Sequence, residues 1–150
     1  MDIFTVSLFG HREMNHLWAL ENRLIPKIRE LIQTTPFVAF WVGRNGAFDE
    51  YAASIIKSVQ KEQDRKNSDL TLVLPYMVAD VEYYQKYYDS VVIPDCLRGV
   101  YPKSAITLRN RWMIEQSDLV IIYIERNKGG AYQALKHAEK MGKNTVIITA

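Results

Sequence analysis

The sequence predicts a single α/β domain built on a parallel, doubly wound sheet. Three observations predict it. Short apolar runs rich in β-branched and aromatic residues alternate about five times with longer segments of helical periodicity. The runs are largely continuous, as expected of strands buried on both faces. The chain has 150 residues, 48% of them hydrophobic, which suits one core and leaves little room for a second domain. Right-handed crossovers between successive parallel strands then put helices on both faces.

The elements follow in order. Phe4–Phe9 (FTVSLF) is the first strand, stopped by Gly10. From about Asn15 to Thr34, the residues Leu17, Leu20, Leu24, Ile28, Leu31 and Ile32 recur at helical spacing and form one buried face. Pro26 interrupts that helix and is a place for a kink, and Thr34-Thr35-Pro36 closes it. Phe37–Val42 (FVAFWV) is the second strand, stopped by Gly43. Asn45-Gly46 makes a turn, and Asp49 caps a helix from about Glu50 to Arg65 whose inner side holds Tyr51, Ala52, Ile55, Ile56 and Val59. Leu70–Leu74 is the third strand, ended by Pro75. Asp80–Asp89 reads as a short helix with a tyrosine-rich face, Val91–Ile93 as a minor strand, and Asp95–Ser104 as a loop punctuated by Gly99 and Pro102. Ala105–Gln116 is helical, and Ser117-Asp118 leads into the fourth main strand, Leu119–Ile124 (LVIIYI). Asn127–Gly130 is a loop, Ala131–Met141 a helix with Gly142 as its C′ residue, and Thr145–Thr149 the last main strand.

Composition excludes several function classes. Lysine and arginine number 19 against 17 acidic residues, so a net charge of +2 is too small to argue for a nucleic-acid or membrane partner. The lone cysteine, Cys96, permits no intrachain disulfide and no cysteine-based metal site, and it has no neighbouring base to make it a nucleophile. His11, His16 and His137 lack a metal-ligand spacing. No metal and no cofactor are expected. Nothing at the N-terminus reads as a signal peptide, and the apolar runs fall far short of the roughly 20 residues a membrane helix needs. A soluble cytoplasmic protein is expected.

In open parallel sheets, ligands bind beyond the carboxyl ends of the strands, where strand order reverses. Three strands here end in glycine-bearing loops that feed helices, at 9–12 (FGHR), 42–50 (VGRNGAFDE) and 127–132 (NKGGAY). Glycine lets a ligand approach the backbone, and helix N-termini suit phosphate. The same glycines also serve any α/β protein simply to turn the chain. Their concentration on one edge selects Gly10, His11, Arg12, Gly43, Asn45, Gly46, Asp49, Gly129, Gly130 and Ala131 as candidate ligand-binding residues. Neither G-x-G-x-x-G nor a P-loop follows a strand. Arg12 suits bidentate contact with phosphate, and His11 suits a hydrogen bond or acid–base work; the alternatives are a solvated arginine and a packed histidine. Asn45 and Asp49 are equally readable as a turn residue and a helix cap, or as ribose and base contacts. Tyr83, Tyr84, Tyr87 and Tyr88 form two adjacent helical rows, suited to packing on the sheet edge, to a subunit interface, or to base stacking.

Taken together, Gly10-His11-Arg12, Gly43-x-Asn45-Gly46-x-x-Asp49, Leu74-Pro75-Tyr76, Arg109-Asn110-Arg111-x-Met113, Ser117-Asp118 and Gly129-Gly130-Ala131 resemble the SLOG superfamily. This is the Rossmann-like group named for Smf/DprA and LOG proteins, and the resemblance is to its small stand-alone bacterial members. It implies a three-layer Rossmann-like sheet of order 3-2-1-4-5 among the main strands, with the first and fourth flanking a switch-point crevice. It also implies a nucleotide-like ligand. Superfamily members include cytokinin-activating phosphoribohydrolases, a single-strand DNA binder and sensors of nucleotide-derived signals. Arg109 stands where the enzyme branch carries an arginine, and of Arg109 and Arg111, two apart on a helix, it is the one expected to face the crevice. The enzyme branch's P-G-G-x-G-T-x-x-E loop is not matched: Gln133 and Ala134 stand where glutamates would fall. Glutamine cannot carry a proton as a carboxylate does.

The leading expectation is therefore a nucleotide or nucleotide-derivative binding domain, a sensor or accessory protein without catalysis, assembled as a homodimer. The alternatives are an N-glycosidic hydrolase of nucleoside monophosphates, with His11 and Arg109 as its catalytic residues, and a single-stranded DNA binder.

Overall fold

The protein is described from a computed structural model, which covers residues 2–44, 46–64 and 66–149. The chain runs β1 (Phe4–Phe9), α1 (Leu17–Thr34), β2 (Val38–Val42), α2 (Ala47–Glu62), β3 (Ser68–Val73), α3 (Val81–Tyr87), β4 (Ser90–Val92), α4 (Pro102–Gln116), β5 (Leu119–Ile124), α5 (Gly130–Lys140) and β6 (Asn144–Thr149). The strands form one all-parallel sheet of order β4-β3-β2-β1-β5-β6. Helices cover both faces, giving a three-layer, Rossmann-like α/β fold.

The five main strands take the expected order, and a sixth is added at the edge. Ser90–Val92 pairs with the outer side of β3, Leu72 opposite Val91. Three residues are too few to show a period, so the open edge of β3 decides this strand rather than its own pattern.

Strand alternation divides the core. Val6, Leu8, Phe40, Leu72, Ile121 and Tyr123 face α1 and α2, and all are fully buried. Phe9, Val73, Val120, Ile122 and Ile124 face the opposite side, under α4 and α5. Burial of each large side chain contributes about 1.5–3 kcal/mol. On the second face Ser7 and Ser117, both buried, share a 2.6 Å hydrogen bond, and Ser117 Oγ also donates to Met113 O. Asp118 joins the first turns of β1 and β5: its carboxylate accepts the Thr5 N–H at 2.8 Å, and its own N–H donates to Thr5 O.

Some boundaries differ from the sequence reading, for physical reasons. Helix α2 starts at Ala47, with Gly46 as its N-cap residue, so Asp49 lies inside the first turn and does not cap it. That early start is anchored by the Ala47 N–H donating to Arg12 O at 2.8 Å, a contact no local pattern reveals. Helix α4 begins at Pro102, ahead of the Ala105 start that the sequence predicts. Proline lacks an N–H, and the first helical position does not need one. Gly142 holds φ 68° just beyond α5, as its C′ role requires. Tyr88 is buried, and Tyr84 and Tyr87 pack partly against the same core, while Tyr83 points outward. The tyrosine rows thus pack mainly on the sheet edge. No helix among the described residues is long and apolar enough to cross a membrane.

Candidate functional site

The chain works outward from β1 to β4 and then crosses back through α4 to β5, on the other side of β1. The segments that leave β1 and β5 therefore part toward opposite faces at the top of the sheet, and a cleft of about 500 Å³ opens there. The loops after β1, β2 and β5 all reach it, together with the first turn of α2 and the middle of α4. Gly10, His11, Arg12, Gly43, Asp49, Arg109, Gly129, Gly130 and Ala131 line it. Gly46 sits against the Arg12 backbone instead. Asn45 lies outside the described residues.

Arg109 is the most unusual group in the cleft. It projects from α4, is only 2% exposed, and is the largest fully buried side chain. Nη1 donates to Val73 O and Nε to Asn110 Oδ1, each at 2.8 Å. Nη2 has no hydrogen-bond partner, and no carboxylate forms an ion pair with the group, among the described residues. Burial pulls its pKa down, opposed by the negative charge of Asp49 and by Tyr76. An arginine this basic keeps its proton regardless. Gly43 makes room for it, since a Cβ there would lie 2.9 Å from Nη1.

His11 is held differently. It is 4% exposed, and its Nε2 accepts the Glu125 N–H at 2.9 Å. Burial, and then the charge of Arg126, lower its pKa from 6.5 against the opposing pull of Glu125. The ring is neutral, with its proton on Nδ1. It offers a ligand a donor, and its Nε2 lone pair is already used. His11 and Arg12 stand in the loop after β1, ahead of α1, which starts at Leu17.

Glu125, at the end of β5, fastens this loop. Its carboxylate accepts from Tyr123 Oη at 2.6 Å, the Asn15 N–H at 2.9 Å, and His16 Nδ1 at 3.4 Å. Burial pushes its pKa up, but these hydrogen bonds outweigh burial and bring it down to about 2. Tyr123 is pushed up in turn, by burial and by its bond to Glu125.

The start of α5 completes the cleft. Gly129 (φ 88°) is the N-cap residue, no side chain caps the helix, and its first turn holds no acid. The leading N–H groups and the dipole are left for a ligand. Arg126 and Lys128 stand beside them on the cleft wall. Arg126 also lies 3.6 Å from Glu125. Four cations, Arg12, Arg109, Arg126 and Lys128, thus face two carboxylates, Glu13 and Asp49.

Sequence reasoning missed Arg126, Lys128, Asn110 and Glu125. The first two flank the glycine pair already singled out, so their proximity was the available signal. Glu125 carried none, because Asn15 and His16, which it ties down, lie about 110 positions away in the chain. Arg111 is exposed, as its position two residues from Arg109 required. Among the described residues, no group of three or more His, Cys, Asp or Glu is placed to hold a metal ion.

The fold and cleft define a Rossmann-like α/β protein with a cationic site at its switch point. No protein-family model matches the chain, and no curated protein matches it.

Proposed function

We propose that this protein binds a nucleotide or nucleotide derivative in the switch-point cleft. The phosphate lies on the free N–H groups of Gly130 and Ala131, within reach of Arg109, Lys128 and Arg126. The sugar and base extend toward Gly43 and Asp49, whose carboxylate accepts hydrogen bonds from hydroxyl or amino groups. The observation that carries this reading is Arg109: a buried guanidinium that two neutral oxygens hydrogen-bond, and that the charge of Asp49 offsets without a hydrogen bond, is costly unless an anion completes it.

Binding without chemistry is the better-supported form. His11 has its Nε2 occupied, and with Gly129-Gly130 on the glycine pair of the phosphoribohydrolase pattern, its glutamate falls on Lys136 and Gln133 on its threonine, so no carboxylate stands there. The reading includes kinship with the SLOG superfamily, supported by the order of the main strands and the place of Arg109. It also includes a cytoplasmic location and a homodimer in solution, for which Tyr101 and Leu108, exposed at the start of α4 and on it, are suitable surface. Light scattering on the purified protein tests the dimer.

Thermal shift and calorimetry against nucleoside mono- and diphosphates, cyclic nucleotides and ADP-ribose test the ligand. At least one is expected to raise Tm in a saturable way in the wild type and to lose its effect in Arg109→Met. A folded protein that none of them stabilises refutes the proposal.

A further inference from the structure

The cleft does not end at the start of α5. Ile106, Asn110 and Gly130 lie on its wall and also on the wall of a second groove, of about 450 Å³, running between α4 and α5. Both helices precede or follow β5 and run back from the carboxyl edge of the sheet, so the groove leads away from the cleft along their seam. From Gly130 to Lys140 it extends about 15 Å.

Its charge is one-sided. Arg111, Lys136, His137 and Lys140 stand along it, and no carboxylate lines it among the described residues. Lys136 lies 3.6 Å from Glu139 and over the ring of Tyr132, and His137 is bonded to Glu115 at 2.9 Å. Arg111 and Lys140 form no ion pair among the described residues. In a chain whose cations and acids nearly balance, this is a local concentration. It joins a cleft that is cationic in its own right.

We propose that the α4–α5 groove is a second anion subsite for the same ligand. The ligand then carries at least two phosphate groups spaced along its length, as a dinucleotide or short oligonucleotide does. One phosphate sits at the start of α5, and the next passes between Arg111 and Lys140. This rests on the cleft being a nucleotide site and specifies how far the ligand extends.

The test compares AMP and GMP with the 5′-phosphorylated dinucleotides pApA and pGpG by calorimetry, on the wild type and on an Arg111→Ala/Lys140→Ala variant. Both side chains are exposed, so the variant is expected to melt with the wild type. In the wild type, a dinucleotide is expected to bind about tenfold or more tightly than its mononucleotide. The double variant is expected to lose that advantage while mononucleotide affinity stays within about twofold. The salt dependence of dinucleotide binding is expected to be steeper than that of mononucleotide binding by about one in log–log slope, and that excess is expected to vanish in the variant. Equal affinity for both lengths, or an advantage that survives the double variant, overturns the subsite and leaves the cleft proposal standing. Absence of binding by all four overturns the subsite, and the cleft proposal then stands or falls on the wider nucleotide panel above. Equally tight binding of polyglutamate, lost in the same variant, overturns the phosphate assignment in favour of an acidic polypeptide.

Discussion

The two sides of the cleft carry the same sequence signature and do opposite work. After β1 and β2, glycines lead the chain into α1 and α2; after β5, glycines lead it into α5. On the first side there is no room. A Cβ on Gly10 would overlap the fully buried ring of Phe48, one on Gly43 would press on Arg109, and one on Gly46 would overlap the Arg12 backbone. On the second side nothing lies within 4 Å of a Cβ placed on Gly129 or Gly130. The helix starts differ in the same sense. The first turn of α2 holds Asp49 and Glu50, which already answer its dipole, whereas that of α5 holds no acid. One wall is therefore packing that seats Arg109, and the other is open backbone fit for an anion.

The largest expected effect tests the packed wall. Gly10→Ala must displace Phe48 within a dense core, and it is expected to cost about 3 kcal/mol, read from the urea midpoint. A variant as stable as the wild type would show that this wall is looser than described.

Arg109→Met separates the two walls next. It removes a buried charge while keeping most of the volume, so stability is expected to change little, whereas ligand affinity falls by about 2 kcal/mol, roughly thirtyfold. Loss of stability without loss of affinity would make Arg109 a structural residue.

Glu125, which ties the end of β5 to the loop after β1, sets a pH dependence. Its native pKa of about 2 lies below the ordinary 4.5. Below that ordinary value the unfolded chain takes up a proton that the native state refuses, so stability falls as pH drops from about 4.5 toward 2. Glu125→Gln is expected to flatten this part of the curve by up to about one proton's slope, measured by urea unfolding at successive pH values. An unchanged slope would mean that the clamp on Asn15 and His16 is not formed in solution.

The smallest effect on stability is the most telling. Gly130→Ala has open space and an ordinary φ, so its stability is expected to stay within about 0.5 kcal/mol. Its methyl group stands where a ligand must approach the α5 backbone, and affinity for the stabilising nucleotide is expected to drop about tenfold, measured by calorimetry. Full affinity would move the phosphate away from this helix start.

Much of the architecture was already legible in the chain. FTVSLF, FVAFWV and LVIIYI announce strands because a segment buried on both faces has to be apolar nearly throughout, and the helical spacing from Leu17 to Ile32 reports a single buried stripe. The glycines after three of these strands lie at the edge of the sheet where the cleft opens. Helix geometry, together with the family resemblance, pointed to Arg109 over Arg111. These are local properties, written in residues next to one another. What separates Gly10 from Gly130, turns Asp49 from a cap into a cleft wall, places β4 against β3, and binds Glu125 to Asn15 and His16 is contact between residues remote in the chain. Such contacts exist only once the sheet has closed, and a glycine's neighbours, unlike its own freedom to turn, are decided by that closure.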